Sequence, residues 1–489
     1  MRLLPCPARV SVRLPMGSWG VLLLAVLLGS CAAGPDYRRP FAVPVSALGA
    51  ASGVSSDAPD EQWWRAFDDP ALARLVENAL RDNPNLAAAE ALVRRARAAA
   101  TVSGAAFLPA VNGSARIGED KLSRNGENLA LIPFTPRTTE FTDYRVGLDA
   151  SWELDLAGRS RRDVEAAVAR FGSAEETRND ARLVIAGEVA ATYVDLRVAQ
   201  QRLGVAQRQE EEANQILRLV GLERSAGIVG DEEVHHARAD LAGAAAAVAP
   251  LEAAAEAALQ ELAALTDTMA EALRSQLTQG VAVPMAPRAV PVGIASDLLK
   301  RRPDVRRVER ELAAATADLG SAVAAQFPRL TLVGAGGLDS VRAGDLGAAA
   351  SRYWNLAPQL SIPLFAGGRL RAQVKAAEAA RDAAVANYRA SVLRALAETE
   401  SAIARYAAAR TRMSAAEDAS KALGGSVQAV ERRQASGEAS MIEVLAARRS
   451  ADQAHDQQLS AIGDFSRAYV ALNRSLGGGW RAGGVRDPP

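Results

Sequence analysis

The chain has 489 residues, and its 57 Lys plus Arg are balanced by 57 Asp plus Glu, so no net field selects a nucleic acid or another polyanion as partner. Aromatics are only 4% and alanine dominates the apolar residues, which favours long helices packed through small side chains over several thick globular cores. Of the two cysteines, Cys6 lies in a leader and Cys31 at its end, so the mature chain is left without an internal disulfide.

Residues 1–30 carry Arg2, Arg9 and Arg13, then the eight apolar residues Val21 to Leu28. That run is too short to span a bilayer and reads as an export signal. Leu28-Gly29-Ser30-Cys31 is similar to a bacterial lipobox and predicts acylation of Cys31, whose two or three acyl chains would anchor the protein stably. The alternative is an ordinary signal with a coincidental cysteine. Residues 31–60, rich in Pro, Gly, Ser and Ala, read as a lipidated extended segment.

Asp69-Pro70 opens a helix, and Pro84 opens another that runs to about Phe107. Strands are expected at about 110–118 and 142–156. From Asp143 to Leu156 the even positions Tyr144, Val146, Leu148, Ala150, Trp152, Leu154 and Leu156 alternate with mostly polar odd ones. No proline interrupts Arg162 to Glu223, and Ile185, Val189, Thr192, Leu196, Ala199, Leu203, Ala206, Ala213, Leu217 and Val220 recur at coiled-coil spacing. Such a helix would be roughly 90 Å long. It would turn at Gly227 and return from Asp231, forming a hairpin over 158–265.

The plan then repeats. Pro84, Glu90 and Pro109 recur 219 residues later as Pro303, Glu309 and Pro328. Gly158-Arg159 and Gly227 recur 210 residues later as Gly368-Arg369 and Gly437, so one loop of the second copy is nine residues shorter. The first repeat is placed at 61–280 and the second at 281–476, with strands at about 329–338 and 353–365, a hairpin over 367–476, and a tail at 477–489. Four strands of this length suit a tilted crossing of a bilayer, the alternative being a two-sided soluble sheet; in a bilayer four cannot close a barrel, and an open edge is not tolerated in lipid. The chain would have to finish its barrel with other copies of itself; three copies give twelve strands and a water-filled lumen. No apolar helix long enough to cross an inner membrane is apparent in the mature chain.

No constellation suggests catalysis, a cofactor or a metal centre. Adjacent residues on a helix point about 100° apart, so His235 and His236 have poor metal geometry. Gly334-Ala335-Gly336-Gly337 lacks the Lys-Ser/Thr of a phosphate loop and reads as a glycine-bearing strand end.

Several separated motifs converge on one family. Cys31-Ala-Ala-Gly-Pro-Asp-Tyr37, Trp63-Trp64-x-x-Phe67-x-Asp69-Pro70-x-Leu72, Leu299-x-Arg301-Arg302-Pro303-Asp304 and Leu476-Gly-Gly-Gly-Trp480 resemble the outer-membrane factors. These are the TolC-like channels, here in the lipoprotein (NodT-type) branch of efflux channels. The resemblance implies a mixed α/β membrane protein. It would be a homotrimer with a twelve-stranded outer-membrane β-barrel, continued by a periplasmic α-barrel of twelve helices. It also implies a periplasmic adaptor and an inner-membrane pump of the resistance, nodulation and division type, with outer-membrane lipid around the barrel and no nucleic acid. The chain would be a passive exit duct for small molecules: drugs, toxic compounds or metal ions. The alternatives are the duct of a one-step (type I) protein secretion system and a periplasmic coiled-coil lipoprotein scaffold.

By the same resemblance the hairpin tips at Gly227 and Gly437 would meet the adaptor, or serve as turn glycines alone. The family's acidic and aromatic aperture positions are here Ala439 and Gln434, so this gate departs from the pattern. Asp231, Glu232 and Glu438 could supply an acidic ring instead, three copies of each favouring cations; the alternative is that they are solvated tip charges.

Overall fold

The computed structural model describes residues 32–39, 54–55, 60–123, 139–277, 281–291 and 300–480. The export signal and Cys31 lie outside these residues. In chain order the elements are β1 (Val54–Ser55), α1 (Pro70–Asp82), α2 (Pro84–Gly104), β2 (Ala110–Lys121) and β3 (Glu140–Leu154). Then come α3 (Arg159–Ser225), α4 (Asp231–Leu265), α5 (Ala270–Gln276), β4 (Val290–Pro291) and α6 (Pro303–Ala324). The chain continues through β5 (Arg329–Ser340), β6 (Arg352–Ser361), α7 (Arg369–Ala435) and α8 (Met441–Ser475). The outgoing arms α3 and α7 are both 67 residues long and the returning arms α4 and α8 both 35, so the two hairpins match arm for arm.

Two compact units share the chain. The first draws on Met1–Arg39, Arg95–Phe171 and Arg310–Val385; the second on Pro40–Arg94, Gly172–Glu309 and Ala386–Pro489.

The first unit holds one four-stranded antiparallel sheet in the order β2-β3-β5-β6. β3 stops at Leu154, two residues before the sequence pattern ends. Leu156 N–H turns back to the Leu154 carbonyl at 2.9 Å, and the Asp155 carboxylate accepts the Arg161 N–H at 3.0 Å in the first turn of α3. Gly334, Gly336 and Gly337 lie inside β5 and do not end a strand, which corrects the expectation. A Cβ on Gly337 would sit 2.3 Å from the Val146 carbonyl oxygen and 2.6 Å from the Gly147 Cα, so glycine there lets β3 and β5 approach. Beneath the sheet, residues 32–39 lie against α3 and α6. Ala33 N–H donates to the Ala157 carbonyl at 2.9 Å, and the buried Arg162 side chain donates to the Ala33 carbonyl at 3.2 Å and to Asp36 at 2.7 Å.

The second unit has an aromatic core. A short 3-10 turn, Trp63–Phe67, buries Trp63, Trp64 and Phe67, and Tyr469 of α8 meets Trp63 and Phe67 edge-on at centroid distances of 6.0 and 5.3 Å. The Tyr469 hydroxyl donates to the Trp63 carbonyl at 3.1 Å. Phe465, Tyr469 and Leu472 form the buried stripe of α8, continued by its C-cap Leu476, and the α3 residues Ile185, Val189, Leu196, Ala199, Leu203, Ala206, Ala213 and Val220 are all buried. Asp69 caps α1 by accepting the Ala71 and Leu72 N–H groups at 2.8 and 3.1 Å, and takes the Tyr193 hydroxyl at 2.8 Å. Burial pushes the Tyr193 phenol up to about 12. Arginines hold α8 between its neighbours: Arg202 on Asp456 and Arg208 on Asp452 link it to α3, Arg448 on Glu431 and Arg412 on Asp464 link it to α7.

The expectation that no helix of the mature chain is long and apolar enough to cross a membrane does not hold. α4 is long and apolar enough to cross a membrane by length and composition, with a mean hydropathy of 1.3 over its best window. That value comes from alanine, as in Ala244-Ala245-Ala246-Ala247, and not from bulky side chains; Glu252 and Glu256 interrupt the run and Pro250 stands inside it. Little of the window is buried within one chain, which suits an element packed against other helices through small residues.

Candidate functional site

Strand register decides what each face of the sheet can touch. In β2, Val111, Gly113, Ala115 and Ile117 pair with Ala150, Leu148, Val146 and Tyr144 of β3. Those β3 residues pair in turn with Gly334, Gly336, Leu338 and Ser340 of β5, and Gly334 and Gly336 with Leu356 and Trp354 of β6. Residues directly opposite one another share a face, so one side of the sheet is a continuous apolar surface. Trp354 is 82% exposed on it, and Val146, Leu148, Leu356 and Leu360 are exposed as well. A soluble protein rarely shows such a patch to water.

The other face carries Asn112, Ser114, Arg116, Arg145, Asp149, Thr331, Asp339, Asn355 and Gln359 in the same rows. Arg145 spans β3 and β5 to reach Asp339 at 2.7 Å. A sheet apolar on one side and polar on the other, with β2 and β6 both unpaired on their outer edges, has the two-faced pattern suited to a boundary between lipid and water.

The hairpin tips are built alike. Gly227 and Gly437 have φ of +71° and +78°, the left-handed backbone that ends a helix in a Schellman turn. Ile228 N–H returns to the Glu223 carbonyl at 2.9 Å, and Glu438 N–H to the Arg433 carbonyl at 2.8 Å. The next helix is then capped: Gly230 N–H donates to Glu233 at 2.9 Å, and the Glu443 N–H to the Ser440 hydroxyl at 3.1 Å.

The three candidate aperture carboxylates stand in different surroundings. Asp231 accepts from Arg224 Nε at 2.7 Å, and this contact holds its pKa below the usual carboxylate value. Glu232 stands 3.7 Å from the His236 ring. Glu438 is exposed, and its backbone carbonyl, not its carboxylate, is held by Arg433 at 3.1 Å. Sequence reading missed Arg224, although an arginine seven residues before an aspartate across a glycine turn is a visible signal. Among the described residues no group of three His, Cys, Asp or Glu is placed to hold a metal ion.

Three of the sequence motifs meet in the second unit. Gly477, at φ +72°, lies against the Arg301 carbonyl, Gly478 lies against the Trp63 ring, and the Trp480 indole donates to the Arg301 carbonyl at 3.1 Å. A family model described as outer membrane efflux protein matches the chain twice, over residues 75–268 and 294–478. The chain belongs to the outer membrane efflux protein family. The pyoverdine export outer membrane protein OpmQ of Pseudomonas putida is 32% identical over 465 residues, spanning 94% of this chain and 97% of that protein. The probable outer membrane lipoprotein SilC of Salmonella typhimurium is 28% identical over 462 residues, spanning 93% and 97%. A solved structure of the outer-membrane channel OprN has a TM-score of 0.81 at 35% identity, over 92% of this chain and 100% of that one. As an outer membrane efflux protein the chain resides in the outer membrane and serves export, which accounts for the exposed apolar face of its sheet.

Proposed function

We propose that three copies of this chain close a twelve-stranded barrel in the outer membrane, continued by twelve helices in the periplasm, as the exit duct of a tripartite efflux system. The observation that carries this reading is the register of the sheet: one apolar face, one polar face and two open edges that lipid does not tolerate. The twofold repeat of strands and hairpins is part of the same reading, and so are the repeat boundaries near 61–280 and 281–476. An adaptor would meet the tips at Gly227 and Gly437, and an inner-membrane pump, of the resistance, nodulation and division type, would supply the energy. Acyl chains on Cys31 would anchor the start of the chain, one residue before the strap that Arg162 holds beside Ala157. Small molecules are the cargo this reading favours, since OpmQ is described by the export of pyoverdine.

Glu232 and Glu438 are the stronger members of an acidic aperture ring, because the charge of Asp231 is already met by Arg224. The test is the mass of the detergent-extracted particle by native mass spectrometry. Three chains support the duct; a monomer returns the molecule to a periplasmic scaffold.

A further inference from the structure

We infer that β6 of one copy pairs antiparallel with β2 of the next in one defined register, with Gln359 opposite Arg116 and Leu360 opposite Ala115. This rests on the reading of three copies closing one barrel and adds which residues meet at each seam.

The register of the first hairpin reappears unchanged in the second. Val111 pairs with Ala150; moving 219 residues along from the first and 210 from the second gives Leu330 and Leu360, which are also partners. The two hairpins are therefore equivalent units joined inside the chain by the β3–β5 seam. If every seam of the ring is equivalent, the pairs of β3 with β5 translate into pairs of β6 with the next copy's β2. Ala150 opposite Gly334 becomes Leu360 opposite Ala115. Asp149 opposite Ala335 becomes Gln359 opposite Arg116, and Ser151 opposite Val333 becomes Ser361 opposite Ser114.

The residues that come together fit one another, although the translation used only positions. Polar meets polar on the inner face: Gln359 with Arg116, Asn355 with Asp120, Ser361 with Ser114. Apolar meets apolar on the outer face: Leu360 with Ala115 and Pro358 with Ile117. Glu119 and Lys121 fall opposite Leu356 and Trp354, near the loop end of the sheet, where β6 begins at Arg352. The internal seam leaves no room for a Cβ at Gly337, where it faces Gly147. Its counterpart pairs Ala357 with Gly118, again two small residues. A slip of one position would set the polar row against the apolar one.

Paired cysteines in the full-length protein, oxidised in outer membranes with copper phenanthroline, test the register. Gln359→Cys with Arg116→Cys, and independently Leu360→Cys with Ala115→Cys on the other face, are expected to convert the protein to a covalent trimer on non-reducing gels. Each cysteine alone is expected to give none, and so is Gln359→Cys combined with Ser114→Cys or with Gly118→Cys. Crosslinking of those offset pairs in place of the aligned ones would overturn the register. A particle of trimer mass that crosslinks at none of the pairs would overturn the β6–β2 seam while leaving the trimer intact. A monomeric mass would remove the reading beneath it.

Discussion

Arg224 and Asp231 bridge the first hairpin tip, Nε to carboxylate at 2.7 Å, across the left-handed turn at Gly227. The Asp231 pKa is lowered in the fold, so the stabilisation is present above the unfolded value and is lost as pH falls through the folded one. Acidification below the ordinary carboxylate range is therefore expected to lower the hydrogen-exchange protection factors at residues 226–230, measured against the slower intrinsic exchange in acid. Asp231→Asn should give the same loss of protection already at neutral pH, with helix content unchanged. Equal exchange in the variant and the parent would mean that the bridge restrains nothing.

Gly337 and Gly113 make a matched pair of tests within one sheet. A Cβ at Gly337 would overlap the β3 backbone, whereas one at Gly113 would make ordinary contact with Leu148 at 3.7 Å. Gly337→Ala should reduce the heat-resistant assembled species in outer-membrane fractions, and Gly113→Ala should leave it near parental levels. The reverse order would contradict the β3–β5 register.

Trp63 is 1% exposed and anchors the aromatic core of the second unit. Trp63→Ala should cost about 3–5 kcal/mol, the usual range for deleting a buried aromatic ring. Tyr469→Phe keeps the ring and loses only the hydroxyl bond to the Trp63 carbonyl, at about 1 kcal/mol. Chemical denaturation of the detergent-purified protein, followed by tryptophan fluorescence, separates the two.

Arg302 ties three segments together: its guanidinium reaches Asp304 and Glu398 at 2.7 Å each and donates to the Ser475 carbonyl at 3.3 Å. Burial pushes the Asp304 carboxyl up, but the Arg302 guanidinium outweighs it and holds the group below its usual value. This contribution is full above the unfolded carboxylate pKa and disappears as pH falls through the folded one. Arg302→Met should cost about 2–3 kcal/mol at neutral pH and lose the carboxylate share of that deficit in acid, keeping the share from the carbonyl bonds. A deficit that does not change with pH would mean that the ion pairs contribute nothing.

Much of this architecture was legible in the sequence because its periodicities are long and regular. The alternation from Asp143 onward maps onto β3, and the stripe from Ile185 to Val220 is buried along α3 except at Thr192 and Leu217, which are half-buried. The glycines of β5 were misread, because a close approach between β3 and β5 depends on Gly147, which lies far away in sequence. The membrane-like hydropathy of α4 escaped notice because alanine raises the mean without forming a bulky apolar run. Arg224 was missed for a different reason. Seven residues separate Arg224 from Asp231, and only the Schellman turn brings the two within reach.

Single-channel recording of the purified full-length protein in planar bilayers tests the central claim most directly. The account predicts discrete conductance steps that favour cations, with the preference reduced in Glu438→Gln. A correctly assembled outer-membrane particle that passes no ions under any applied voltage would contradict the duct.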